Sequence, residues 1–200
     1  MYMNNISLVD ISIINSLKTP ISEGDQIAFK SLYDLLFKKL VQFAMAIVKD
    51  QSAAVGIVDE VFVKFWKNRQ NASSINNLRV YFYTAVKNTA LNHLSQNVKE
   101  QKIESFDYVD VQVNDNITPE QLMITSELFS KIKIAVNNLP SKCKIIFKLV
   151  REDGLTYKEV ANILNVSENT VDAQLVIAVK RIREALKGHI DILPSKILKK

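Results

Sequence analysis

Residues 155–186 read LTYKEVANILNVSENTVDAQLVIAVKRIREAL, and this stretch decides the fold. Thr156 is placed to cap a short helix whose Tyr157, Val160, Ala161 and Leu164 make one apolar stripe. Asn165 stands where a tight turn needs a left-handed residue, a conformation Asn tolerates. Val166 is the apolar residue turned inward there, and Ser167 can cap a second, longer helix. On that helix Val171, Leu175, Ala178, Ile182 and Leu186 recur at helical spacing. A short helix, a turn of three or four residues and a second capped helix form a helix-turn-helix, whose second helix enters a major groove of DNA. A plain helical hairpin would not need cap, turn and stripe to coincide in one register.

Working outward, the rest of the chain is also helical in pattern. Only four Gly and four Pro punctuate 200 residues. Asp25 can cap a helix to about Lys49, with Leu32, Leu36, Leu40, Phe43 and Ile47 inward. A second helix, about Ala53 to Asn68, sets Val58, Val61, Phe62 and Phe65 on one side. A polar stretch from Arg69 to Asn77 leads to a third, about Asn76 to Leu94, with Leu78, Phe82, Ala85 and Thr89 inward. Thr118-Pro119-Glu120 starts a further helix that ends near Leu139-Pro140, and another runs from about Ser141 to a left-handed stop at Gly154.

The fold class is therefore all-α: two small helical domains joined by a flexible acidic linker. The divisions are an N-terminal extension (1–23), a first domain (24–95), the linker (96–118), the helix-turn-helix domain (119–188) and a basic C-terminal tail (189–200). Charge follows them. Residues 1–95 hold ten basic and seven acidic side chains, 96–118 two and five, and 119–200 fourteen and nine. Two basic lobes suit a polyanion, since each neutralised phosphate releases counterions. The connector has no sustained period and reads either as a mobile tether or as a segment that orders on a partner.

Several classes are excluded. One cysteine, Cys143, permits neither an internal disulfide nor a Cys-rich metal site, and its apolar-basic setting suits a buried thiol. No run of about 18 apolar residues occurs, so membrane insertion is not expected. Residues 1–15 lack the pattern of a secretory signal, which points to the cytoplasm. His93 and His189 fall in different lobes without motif partners, and no Gly-rich phosphate loop or nucleophile elbow is present. Neither an enzyme nor a cofactor, a metal or a small-molecule substrate is implied.

The blocks Leu139-Pro140, Gly154 to Tyr157, Glu159 to Ala161, Val166-Ser167, Thr170-Val171 and Lys180 to Arg183 resemble region four of the extracytoplasmic-function sigma factors. Ala28-Phe29, Leu32-Tyr33, Asp59 to Phe62, Phe65-Trp66 and Tyr81 to Asn88 resemble their region two. The pattern is most similar to the Bacteroidota type. The resemblance implies a factor that binds core RNA polymerase and promoter DNA to start transcription, and that an anti-sigma protein holds when idle. A helix-turn-helix regulator with an N-terminal sensor or dimerisation domain is the alternative.

The resemblance also assigns residues. Asp59, Glu60, Phe62, Lys64, Phe65 and Trp66 would bind the polymerase; an exposed Trp beside charges suits an interface, though Trp66 can equally pack within the lobe. Many relatives are acidic where this chain has Val55-Gly56. Ser74, Asn76, Asn77, Arg79, Tyr81, Tyr83, Thr84, Lys87 and Asn88 would handle the minus-ten element, where an aromatic ring, a cation and short polar groups suit stacked bases and a phosphate. Tyr81 and Tyr83 can also simply cover the core. At the minus-thirty-five element the implied contacts are Thr156, Tyr157, Ser167, Asn169, Thr170, Asp172, Ala173, Val176, Ile177, Lys180, Arg181 and Arg183. Lys180, Arg181 and Arg183 suit phosphates. Asp172 meets either phosphates or a base amino group. Val176 and Ile177 suit thymine methyls and Asn169 suits adenine, or else the apolar pair meets a protein.

Overall fold

The computed structural model describes residues 12–97 and 126–187. Most of the expected connector, the helix start at Thr118-Pro119 and the tail 189–200 lie outside them. Among the described residues all regular structure is helical, in two compact units.

In the first unit, α1 (Lys18–Ser22) precedes α2 (Gln26–Val48), α3 (Gln51–Lys67), a 3-10 helix (Arg69–Ser74) and α4 (Leu78–Asn97). Asp25 caps α2 by accepting from the backbone N–H of Ile27 at 2.8 Å and Ala28 at 3.1 Å. The helix stops where Lys49 turns left-handed, φ 59°, and its N–H closes onto the Met45 carbonyl. Asp50 at once caps α3, accepting from Ala53 N–H at 2.6 Å. Two caps in succession thus fold the chain back with no glycine.

α2, α3 and α4 pack on one another. The expected stripe Leu32, Leu36, Leu40, Phe43 and Ile47 is buried, as are Val58, Val61, Phe62 and Phe65. Aromatic rings bind the three helices together. Phe62 lies 6.0 Å from Phe29, 4.8 Å from Tyr33 and 4.6 Å from Phe82 between ring centres, and Phe65 lies 4.9 Å from Phe82. Offset and edge-on rings at such spacings add to the burial of their area.

Two expectations for this unit need correction. The lobe does not begin at residue 24: residues 12–16 are helical, α1 packs on the 3-10 helix, and Ile14 and Ile21 are buried. On α4 the inward ridge is Leu78, Phe82, Val86 and Ala90, whereas Ala85 and Thr89 are half-buried. A second ridge, Arg79, Tyr83 and Lys87, is buried beside it.

The second unit contains α5 (Ser126–Asn137), α6 (Ser141–Arg151), α7 (Tyr157–Leu164) as far as Ala161, and α8 (Glu168–Ala185). α8 is its spine, with α5 and α6 packed on it. Val171, Leu175, Ala178, Ile182 and Leu186 are buried as expected. Cys143 is 3% exposed, and its Sγ lies 3.0 Å from Gln174 Oε1, joining α6 to α8. Burial pushes this thiol above its ordinary pKa, so it stays protonated and inert. Gly154 takes the left-handed conformation, φ 68°, and Leu155 N–H returns to the Leu149 carbonyl at 3.0 Å.

Candidate nucleic-acid interface

The caps that define the helix-turn-helix all form. Thr156 Oγ1 accepts from Glu159 N–H at 3.2 Å, and Glu159 Oε2 accepts from Thr156 N–H at 2.8 Å, a reciprocal capping box. Asn165 ends α7 with φ 55°. The Val166 N–H then bonds to the Ala161 carbonyl at 3.0 Å. Ser167 Oγ accepts from Thr170 N–H at 3.1 Å and opens α8. Ile163, fully buried, is a core residue that the apolar stripe of the sequence left out, and Val166 is only half-buried.

With Val171, Leu175, Ala178 and Ile182 inward, the far side of α8 presents Asn169, Ala173, Val176, Ile177 and Lys180, all exposed. Val176 and Ile177 are 44% and 39% exposed, high for large aliphatic side chains on a packed helix. Arg181 and Arg183 are exposed beside them, while Tyr157, Thr170 and Asp172 are half-buried. The N-termini of α7 and α8 stand at Thr156 and Ser167, both exposed; such termini bind anions through free backbone N–H groups. A face of this kind can enter a groove, touch phosphates at its edges and meet base edges at its middle.

In the first unit, the polar stretch becomes the 3-10 helix, followed by Asn77, whose Oδ1 accepts from Val80 N–H at 3.2 Å to cap α4. Ser74, Asn76, Tyr81 and Asn88 are exposed and Thr84 half-buried. Tyr81 leans on Phe65 at 5.7 Å and Phe82 at 5.5 Å, leaving the ring 37% open. Three expected contacts do not belong on this surface. Tyr83 is 1% exposed and its ring meets Phe43 edge-on at 5.2 Å. Arg79 and Lys87 follow the same ridge inward, and burial lowers the Lys87 pKa. A desolvated amine is poorly placed to meet a phosphate.

The outer face of α3 carries Asp59, Glu60 and Lys64, all exposed, with Glu60 paired to Lys64 along the helix. Asp59 accepts from the Tyr33 hydroxyl at 3.1 Å. Phe62 and Phe65, expected on this interface, are 2% exposed and belong to the core. Trp66 is half-buried rather than free: its ring sits 4.7 Å from Phe29 and 4.8 Å from the Arg69 guanidinium carbon. Val63, 52% exposed, is the apolar residue of this face. Its spacing of four from Asp59 and Lys67 would have revealed it. The Val55-Gly56 departure does not disturb the helix, and a Cβ added at Gly56 would meet nothing.

Comparison with known proteins matches both units. Residues 32–100 match the family Sigma-70 region 2, and residues 131–182 match Sigma-70, region 4. The two regions in this order on one chain define a promoter-recognition factor of bacterial transcription initiation, which binds core RNA polymerase and promoter DNA. The chain is 25% identical over 181 residues to the ECF RNA polymerase sigma-E factor of Haemophilus influenzae, covering 86% of this chain and 93% of that one. It is 23% identical over 177 residues to the ECF RNA polymerase sigma factor SigW of Bacillus subtilis, covering 85% and 92%. A solved structure of CnrH in complex with the cytosolic domain of CnrY shares the fold, with TM-score 0.56, 15% identity, and coverage of 87% and 97%. The chain belongs to the extracytoplasmic-function sigma factors of RNA polymerase.

Proposed function

We propose that α8 reads the minus-thirty-five duplex through a partly apolar face. In this reading Val176 and Ile177 touch thymine methyls, Asn169 pairs with an adenine, and small Ala173 lets the backbone come close. Lys180, Arg181 and Arg183, with the helix starts at Thr156 and Ser167, hold phosphates. The polar stretch 69–77 with Tyr81, Thr84 and Asn88 takes up unpaired minus-ten bases. Asp59, Glu60, Val63, Lys64 and the open edge of Trp66 dock on core polymerase. The factor works in the cytoplasm without catalysis of its own, and a protein partner, like that seated on CnrH, holds it when idle.

The observation that carries the minus-thirty-five reading is the exposed aliphatic pair on the outer face of the second helix of the helix-turn-helix, followed by three exposed cations. The major-groove edge offers one apolar group, the thymine methyl. The test starts from promoters selected from a randomised library by polymerase reconstituted with this chain. Deoxyuridine is then placed for thymidine, removing the methyl alone. Affinity should fall about fourfold per contacted methyl, from roughly 0.8 kcal/mol for each such group. Val176→Ser and Ile177→Ser should abolish that penalty. Unchanged sequence preference in the two variants would refute methyl reading. Failure to direct any start site with core enzyme would refute the wider reading.

A further inference from the structure

The N-terminal residues of the first unit meet it at the polar stretch. α1 packs along the 3-10 helix, and each element holds one fully enclosed apolar residue, Ile21 on α1 and Ala72 on the 3-10 helix. Just past the 3-10 helix, Lys18 Nζ donates to the Asn76 carbonyl at 2.7 Å, across 58 positions of sequence. At its start, Arg69 Nη1 donates to the Trp66 carbonyl at 3.3 Å. Gly24, φ 95°, passes so near that an added Cβ would stand 3.6 Å from Arg69 Nε. Residues 18–24 therefore approach both ends of the stretch. Between those ends Gln70, Asn71, Ser73 and Ser74 stay exposed.

We propose that α1 is a brace that pre-forms the base-capturing stretch, with Lys18 as its positioning residue. A six-residue 3-10 helix has weak internal bonding and would not hold one shape alone. A strand-binding segment that must be ordered by its ligand gives up affinity, and one fixed beforehand keeps it. The Lys18 ammonium fixes the Asn76 backbone, and Ile21 seats the helix under the exposed side chains. The proposal rests on the reading of residues 69–77 as the minus-ten contact.

The test uses polymerase reconstituted with the full chain and the isolated non-template strand of a promoter selected as above. Lys18→Met keeps the stem and loses the donor; Lys18→Arg keeps a donor. Lys18→Met should weaken oligonucleotide binding about three- to tenfold, the range for one lost hydrogen bond of ordinary net strength, while binding to core enzyme is unchanged. Lys18→Arg should recover most of it. Salt dependence should be the same in parent and Lys18→Met, because no phosphate contact is removed. Oligonucleotide affinity equal to the parent's overturns the brace. So does a loss that comes with a shallower salt slope, which would make Lys18 a direct phosphate ligand. If the parental complex holds no single strand at all, the minus-ten reading fails and the brace with it.

Discussion

Tyr33 shows how one side chain can serve the core and the surface together. Its ring stacks on Phe37 at 4.6 Å and touches Phe62, while its hydroxyl donates to Asp59 on the outer face of α3. Burial first, then the Asp59 hydrogen bond and the nearby carboxylates, raise its pKa to about 12. The unfolded chain would lose this proton at the ordinary value near 10. The folded state therefore binds more protons between those limits, and stability contributed below pH 10 is lost as pH climbs towards 12. Thermal melts followed by circular dichroism from pH 9 to 12 should show a decline that is shallower in Tyr33→Phe. Residue identity misled the reading of α4 for a related reason. Tyr83 and Lys87 carry polar tips on long apolar bodies, so chemical type suggested surface while the body went inward.

At the scale of elements, punctuation was more legible than faces. Asp25, Thr156, Asn165, Ser167 and Gly154 mark their boundaries in the sequence, and each takes the conformation its chemistry favours. α4 resisted because apolar or aromatic residues lie nearly all round it, from Leu78 through Phe82 and Tyr83 to Leu91. A one-residue rotation then fits almost as well, and Val86 and Ala90 were missed for Ala85 and Thr89. α7 is only eight residues long and depends on its ends. Thr156→Ala removes the capping box and should cost about 1 kcal/mol. In a unit of this size that lowers the melting temperature by roughly 4–8 °C, which calorimetry of the second unit's transition would register.

For the whole molecule, the order of two helical bodies was readable because each has its own boundary signals. The inclusion of residues 12–23 in the first was not, since Ile14 and Ile21 alone give no period long enough to call. Lys180, Arg181 and Arg183 are exposed together near the end of α8, in a chain of formal net charge +5. Replacing Lys180 and Arg183 by Ala together should weaken promoter binding about equally across minus-thirty-five sequences. The log–log dependence of affinity on salt should become shallower by roughly two. Fluorescence anisotropy between 50 and 200 mM salt, a range set by that relation, would measure both effects. Weakening confined to particular base pairs would instead make these cations readers of sequence.

The thiol between α6 and α8 gives the chain a clock. Cys143 is its single cysteine, enclosed and bonded to Gln174. A maleimide can reach it only when those two helices part, so the rate of alkylation counts openings of the second unit alone. Added promoter DNA or a captor protein that clamps this unit would slow the count, reporting occupancy without any engineered label.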